Sequence, residues 1–235
     1  MPITPVSERG YVNPGLLVES DWLAEHLADP DLRLIDTRSA ELYAAGHIPG
    51  AVNLGAYGGI PRTPDGEMGT PEAFEELAGH LGISSDSNVV AYDAPGAMMG
   101  MAAWAFAYFG VKSVGVLDGG FEKWTSEKKP TTTEPGTYPE SSFKSNLAEE
   151  VYCSLDHAKA VVGSPGTVFW DVRSKEEHEG TEARNNPRPG HVAGAVHLDW
   201  TELLDPITKT FLPGDELRSL LGSRGISPES EINCY

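Results

Sequence analysis

Two cysteines, Cys153 and Cys234, are all that 235 residues contain, so neither a disulfide framework nor a cysteine-rich zinc site can be built. No apolar run approaches the roughly 20 residues needed to span a bilayer. Met1 to Glu19 has neither the basic start nor the apolar stretch of a secretory signal, so residence in the cytoplasm, away from membranes, is expected. Basic residues are scarce as well. With 17 Lys and Arg against 35 Asp and Glu the net charge is −18, a field that repels phosphate over the whole surface and excludes nucleic acid as a partner. An anionic substrate must therefore find a local positive site.

What the sequence does have is a repeat. Gly46-His47-Ile48-Pro49-Gly50-Ala51-Val52-Asn53-Leu54 returns as Gly190-His191-Val192-Ala193-Gly194-Ala195-Val196-His197-Leu198, with residue 46 matching residue 190. Leu34-Ile35-Asp36-Thr37-Arg38-Ser39 matches Phe169-Trp170-Asp171-Val172-Arg173-Ser174, and Gly82-Ile83-Ser84 matches Gly225-Ile226-Ser227. Three anchors in one order define a duplicated unit. The spacing between the first two anchors is longer in the second copy, which puts an insertion in the polar stretch from Thr181 to Arg188.

Each copy alternates strand and helix. In the first, Ser20 is expected to cap a helix from Asp21 to about Ala28, and Leu32 to Ile35 reads as a strand ending at Asp36. Val89 to Tyr92 and Val114 to Leu117 read as further buried strands, and Pro71 to Leu81 and Met98 to Phe109 as helices. Met98, Met99, Met101, Trp104 and Phe109 are expected in the core. Continuous apolar strands between helices imply a parallel sheet covered on both faces. The expected fold is α/β: two tandem units, each a parallel sheet flanked by helices. The first spans 1–124; 125–150, rich in Thr, Ser and Pro, is read as a linker; and 151–235 is an incomplete second unit.

Carried forward along the third anchor, Ala91 meets Cys234, Tyr92 meets Tyr235, and Asp93 meets position 236, one beyond the chain given. In the first copy Ala94-Pro95-Gly96-Ala97 then forms a tight loop before an apolar helix. Backbone N–H groups and the helix dipole make such a loop an anion and thiolate site. Its first residue stands at the chemical focus.

At this point the chain resembles the tandem rhodanese family of thiosulfate and 3-mercaptopyruvate sulfurtransferases. The resemblance rests on Asp36-Thr37-Arg38-Ser39, Gly46-His47-Ile48-Pro49-Gly50-Ala51, their second copies, and Leu117-Asp118-Gly119-Gly120-Phe121 followed by Trp124. It implies transfer of a sulfane sulfur from a small anionic donor to cyanide or a thiol, through a cysteine persulfide and without a cofactor. It also implies that the first-copy site is degenerate, with Asp93 at the cysteine position, and that the nucleophile follows Tyr235. The 235 residues are then expected to be a C-terminally truncated fragment, inactive without the active loop. A non-catalytic rhodanese-like binding or regulatory module is the alternative.

Cys234, opposite Ala91, reads as a small buried strand residue and a less favoured nucleophile; Cys153 reads as structural. Asp93 reads as a helix cap, since a carboxylate cannot carry a sulfane sulfur. His47 and His191 read as turn-fixing residues, with no metal spacing around either. Asp171 and Arg173 either support the site or, like Asp36 and Arg38, lock the scaffold as an ion pair. Many family members carry an Arg at the place of Glu177, where it contacts the anionic substrate. Arg184 and Arg188 either replace that charge or belong to a solvated loop.

Overall fold

The computed structural model describes residues 4–55, 59–94, 96–184 and 186–235. The chain forms two compact units. One comprises Val12–Tyr152 with the N-terminal residues up to Glu8 and Ile207–Thr210; the other comprises Arg9–Tyr11, Cys153–Pro206 and Phe211–Tyr235.

In the first unit the strands are β1 (Leu17–Val18), β2 (Leu32–Asp36), β3 (Val52–Asn53), β4 (Asn88–Tyr92) and β5 (Ser113–Leu117), in the order β1-β5-β4-β2-β3 and parallel at every pairing. The helices are α1 (Ser20–His26), α2 (Ala40–Ala45), α3 (Pro71–His80), α4 (Met98–Tyr108) and α5 (Gly120–Ser126). Side chains alternate across a strand, so Leu34, Val90 and Tyr92 meet Leu23 of α1 and Trp124 of α5 in one buried cluster. On α3, Phe74 stacks on Phe109 at 4.0 Å and meets Phe106 of α4 at 5.8 Å. Met99 and Phe109 are buried as expected, while Trp104 is only partly covered and donates to the Val151 carbonyl at 2.8 Å.

The second unit holds α6 (Leu155–Val161), β6 (Thr167–Asp171), α7 (Lys175–Glu179), β7 (Val196–His197), α8 (Gly214–Ser223) and β8 (Glu231–Cys234), with the parallel order β7-β6-β8. The expected α/β class with two parallel sheets, the second smaller, is what the chain adopts. The repeat holds bond by bond. Ile83 N donates to Ala78 O at 2.8 Å and Ile226 N to Leu221 O at 3.0 Å, after glycines at φ +68° and +74° that close α3 and α8 alike.

Three details differ from the sequence reading. Ser20 lies inside α1 behind Glu19 and makes no cap; its hydroxyl instead donates to Glu127 and accepts from Lys123. β1 and α5 were not foreseen: β1 is a two-residue edge, and α5 starts at two glycines of positive φ. The third difference is the segment read as a linker, which packs as a strap on the first unit. Thr132 bridges His47, Gly136 N donates to Tyr43 Oη at 2.9 Å, Tyr138 Oη accepts from Leu34 N at 3.1 Å, and Phe143 is buried against Phe74. A Cβ on Gly136 would come within 2.3 Å of the Ala51 carbonyl oxygen, so only glycine allows that approach. Composition marked this stretch as unstructured because its contacts are to single anchors rather than a periodic face.

Candidate active site

The carboxyl ends of parallel strands carry the chemistry in this class of sheet. At the end of β2, Asp36 is fully buried and binds Arg38 through both oxygens, Nε–Oδ1 at 3.0 Å and Nη2–Oδ2 at 2.6 Å, while Tyr92 Oη donates to Oδ2 at 2.7 Å. Arg38 also donates to Gly46 O at 2.8 Å and stacks over Phe121 at 3.8 Å. The end of β6 repeats this plan. Arg173 meets Asp171 at 2.8 and 2.7 Å and reaches Gly190 O at 2.9 Å. In both units the aspartate and arginine thus pin the following Gly-His turn to the strand end.

The register extends the match to the last residue. Thr37 N donates to Tyr92 O at 2.9 Å and Val172 N to Tyr235 O at 3.1 Å; Ile48 N donates to Tyr92 Oη at 3.2 Å and Val192 N to Tyr235 Oη at 2.9 Å. Tyr235 is the structural counterpart of Tyr92. After Tyr92 the first unit continues with Asp93, which is 8% exposed and lies at the entrance of α4. Amide hydrogen bonds from Met98 and Ala94 act on its carboxylate, and a Cβ on Gly96 would meet its Oδ2 at 2.4 Å. The cap position itself is Ala97, without a side-chain bond, so Asp93 fills the loop from within rather than capping the helix conventionally. Pro95 of that loop lies outside the described residues.

Burial, reinforced by the charge of Asp36, pushes the Asp93 carboxyl up to about 6 against the opposing amide bonds and Arg38. Asp171 behaves in the opposite way. Desolvation alone would raise it, but hydrogen bonds from Arg173 and His178 outweigh that and hold it at about 2. A folded-state value above the unfolded ~3.9 means that the Asp93 contribution is complete below that pH and is lost as pH rises through about 6. Asp171 contributes above ~3.9 and loses its contribution as pH falls toward about 2. Asp93→Asn is therefore expected to stabilise the first unit at neutral pH by on the order of 1–2 kcal/mol and to have little effect near pH 4. Urea titrations of both proteins at the two pH values check this, and an equal shift at both would refute the burial argument.

The remaining sequence candidates separate. Cys234 is exposed, contrary to the burial expected from Ala91. The reason is position in the sheet: β4 lies between β2 and β5 with α4 against it, whereas β8 is an edge strand of the described sheet. Neighbouring atoms still crowd the sulfur enough that desolvation pushes its thiol up. Cys153 is half-buried before α6, its Sγ 3.7 Å from Ser154 O. Glu177 closes a capping box with Ser174 and binds Arg184 Nε at 3.2 Å, so the Arg184 charge is matched by the acid standing where the family pattern has arginine. Arg188 is exposed and has no ion-pair partner among the described residues. His47 faces the Tyr43 and Glu134 carbonyls, and His191 the His178 carbonyl at 2.6 Å. Among the described residues no group of three or more His, Cys, Asp or Glu is arranged to hold a metal ion, and no helix is long and apolar enough to cross a membrane.

Two site residues escaped the sequence reading. His178, in the place of Tyr43, bonds Asp171 Oδ2 through Nδ1 at 3.0 Å, and His197, in the place of Asn53, reaches Arg173 O through Nε2 at 2.9 Å. Both were visible in the aligned copies as changes of residue type at equivalent positions.

Paired parallel α/β units, each with an Asp-x-Arg clamp that ties a Gly-His turn to a strand end, define a rhodanese-type architecture. Residues 19–127 match the family model described as a rhodanese-like domain. The chain is 34% identical over 240 residues to the sulfur carrier protein TtuD of Thermus thermophilus, covering 96% of this chain and 84% of that protein. It is 30% identical over 244 residues to a thiosulfate sulfurtransferase of Corynebacterium glutamicum, with 95% and 78% covered. Among solved structures, SseA of Escherichia coli, described with the 3-mercaptopyruvate sulfotransferases, superposes with a TM-score of 0.79 at 27% identity over 93% of this chain and 87% of that one. The chain belongs to the tandem rhodanese family of sulfurtransferases and sulfur carriers.

Proposed function

We propose that this protein takes the sulfane sulfur of thiosulfate onto a cysteine that directly follows Tyr235 and passes it to a thiophilic acceptor such as cyanide or a thiol. The observation that carries the reading is the bond-for-bond equivalence of Tyr235 and Tyr92. Whatever follows Tyr235 continues from the strand end as Asp93 does in the first unit, and the family pattern fills that place with cysteine. The Asp171–Arg173 clamp supports the strand end from beneath.

In the first half-reaction the thiolate attacks the outer sulfur of thiosulfate. The donor S–S bond breaks, sulfite leaves with its electron pair, and a persulfide remains. In the second, a nucleophilic acceptor takes that sulfur and the cysteine thiolate returns. The first unit carries no sulfur, because Asp93 presents a carboxylate at the equivalent position. Thiosulfate is preferred to 3-mercaptopyruvate as donor: Glu177, tied to Arg184, stands where the family pattern has an arginine for the substrate carboxylate.

The test is a two-step assay on the protein with its residues beyond Tyr235. Thiosulfate is expected to release one equivalent of sulfite per chain and leave cyanide-labile sulfur on the protein. Absence of both would reject the enzyme reading in favour of a non-catalytic binding module.

A further inference from the structure

The first unit serves as a control for the imidazole cluster of the second. There, Tyr43 stacks on His47 at 3.7 Å and its hydroxyl is used up between Ala51 O and Gly136 N. In the second unit the same place holds His178, stacked on His191 at 3.8 Å and flanked by His197 at 4.7 Å. Its orientation is therefore fixed from both sides.

The bond to Asp171 fixes its tautomer. That carboxylate is held ionised by Arg173 and can only accept, so Nδ1 carries the hydrogen and the neutral ring keeps its lone pair on Nε2. Every buried side-chain nitrogen and oxygen among the described residues has a partner. His178 Nε2 forms no hydrogen bond among those residues and so is not one of the buried atoms, and the ring lines an open pocket of about 460 Å³. A carboxylate holding one imidazole nitrogen while the other faces a cavity is the arrangement that makes histidine a proton acceptor.

The pocket also carries charge. Lys175 and Arg224 line it with Glu179, Asp199 and Glu202: Lys175 Nζ lies 3.6 Å from Glu179 and Arg224 Nη2 3.5 Å from Glu202, while Arg224 Nη1 donates to His197 O at 2.9 Å. Exposed pairs of that length contribute little to stability and exchange readily. An incoming carboxylate can take the two cations, and a ligand ammonium the acids they release. His197 is the last residue of β7, paired with Asp171 at the end of β6, His178 stands on α7 after β6, and Arg173 lies 5.1 Å over the ring of Tyr235, which follows β8.

We infer that this pocket is the acceptor site, that its ligand is a small thiol of the amino-acid type, and that His178 Nε2 takes the thiol proton. The inference rests on the sulfur-transfer reading above. The thiol S–H bond breaks as its proton moves to Nε2, and the imidazolium is stabilised by Asp171. The acceptor thiolate then attacks the outer sulfur of the protein persulfide. A new S–S bond forms, the old one breaks, its electron pair returns to the cysteine as thiolate, and the imidazolium gives its proton to solvent. No oxidant or reductant is consumed.

Two measurements test it. Nitrogen-15 NMR of the 235-residue chain is expected to show His178 protonated at Nδ1 and bare at Nε2; the reverse tautomer overturns the inference without any activity being involved. In the protein carrying a cysteine after Tyr235, His178→Gln is expected to lower transfer to L-cysteine and to 2-mercaptoethanol about 10²-fold. Transfer to sulfite at mildly alkaline pH, where the acceptor has no proton to lose, is expected to stay within about twofold. Lys175→Gln combined with Arg224→Gln is expected to raise KM for L-cysteine about tenfold while leaving that for 2-mercaptoethanol unchanged. Equal losses with thiols and sulfite, or unchanged thiol transfer, overturn the acceptor role while sulfur loading from thiosulfate persists. Failure to load sulfur at all refutes the sulfur-transfer reading itself.

Discussion

Serine in place of the cysteine expected at position 236 should lower thiosulfate-to-cyanide transfer on the order of 10⁴-fold or more, because an alkoxide cannot carry the sulfane sulfur that links the two half-reactions. Cys234→Ser in the same protein should leave the rate within about twofold. The two positions are adjacent to Tyr235 on either side, yet strand geometry separates their roles. β8 ends at Cys234, which is held in the ladder opposite Trp170, whereas position 236 corresponds to Asp93, the residue that leaves the strand end after Tyr92 in the first unit. Desolvation also disfavours the Cys234 thiolate. A colorimetric thiocyanate assay on the parent and the two variants separates the assignments. If activity vanished with Cys234→Ser and survived the change at position 236, the equivalence of Tyr235 with Tyr92 would not define the nucleophile.

Much of this was legible in the sequence because the protein contains two copies of one plan. The Asp-x-Arg and Gly-His motifs mark strand ends and turns, and those are the places where a buried ion pair and a positive-φ glycine leave a fixed residue pattern. Asp36 and Asp171 accordingly end equivalent strands. The strap over the first unit was not legible: Gly136, Tyr138 and Phe143 each meet a different part of the unit, and no period connects them. Exposure of Cys234 was not legible either. Alignment with Ala91 carries over the strand but not the neighbours that cover it. His178 shows the converse, since its residue type departs from Tyr43 and the new chemistry lies in that departure.

Asp36→Ala is expected to destabilise the first unit by about 3–5 kcal/mol, whereas Asp171→Ala should cost the second unit about 1–3 kcal/mol. The two aspartates have the same geometry and are both fully buried, so the difference must come from their partners. The Arg38 side chain is 4% exposed, closed in by Phe121 and Tyr92. Losing Asp36 strands a buried guanidinium with Gly46 O as its remaining hydrogen-bond acceptor, and also removes the acceptor of the Tyr92 hydroxyl. The Arg173 side chain is 25% exposed and His178 17% exposed, so both can turn to water when Asp171 is removed. Against a typical domain stability of about 5–15 kcal/mol, the first loss approaches unfolding and the second does not. Asp36→Asn, which keeps the shape and one acceptor oxygen, should fall between. Urea unfolding followed by near-ultraviolet circular dichroism, where Trp124 reports on the first unit and Trp170 on the second, resolves the two transitions. Equal shifts for Asp36→Ala and Asp171→Ala would mean that burial of the arginine, rather than of the carboxylate, does not control the strength of this clamp.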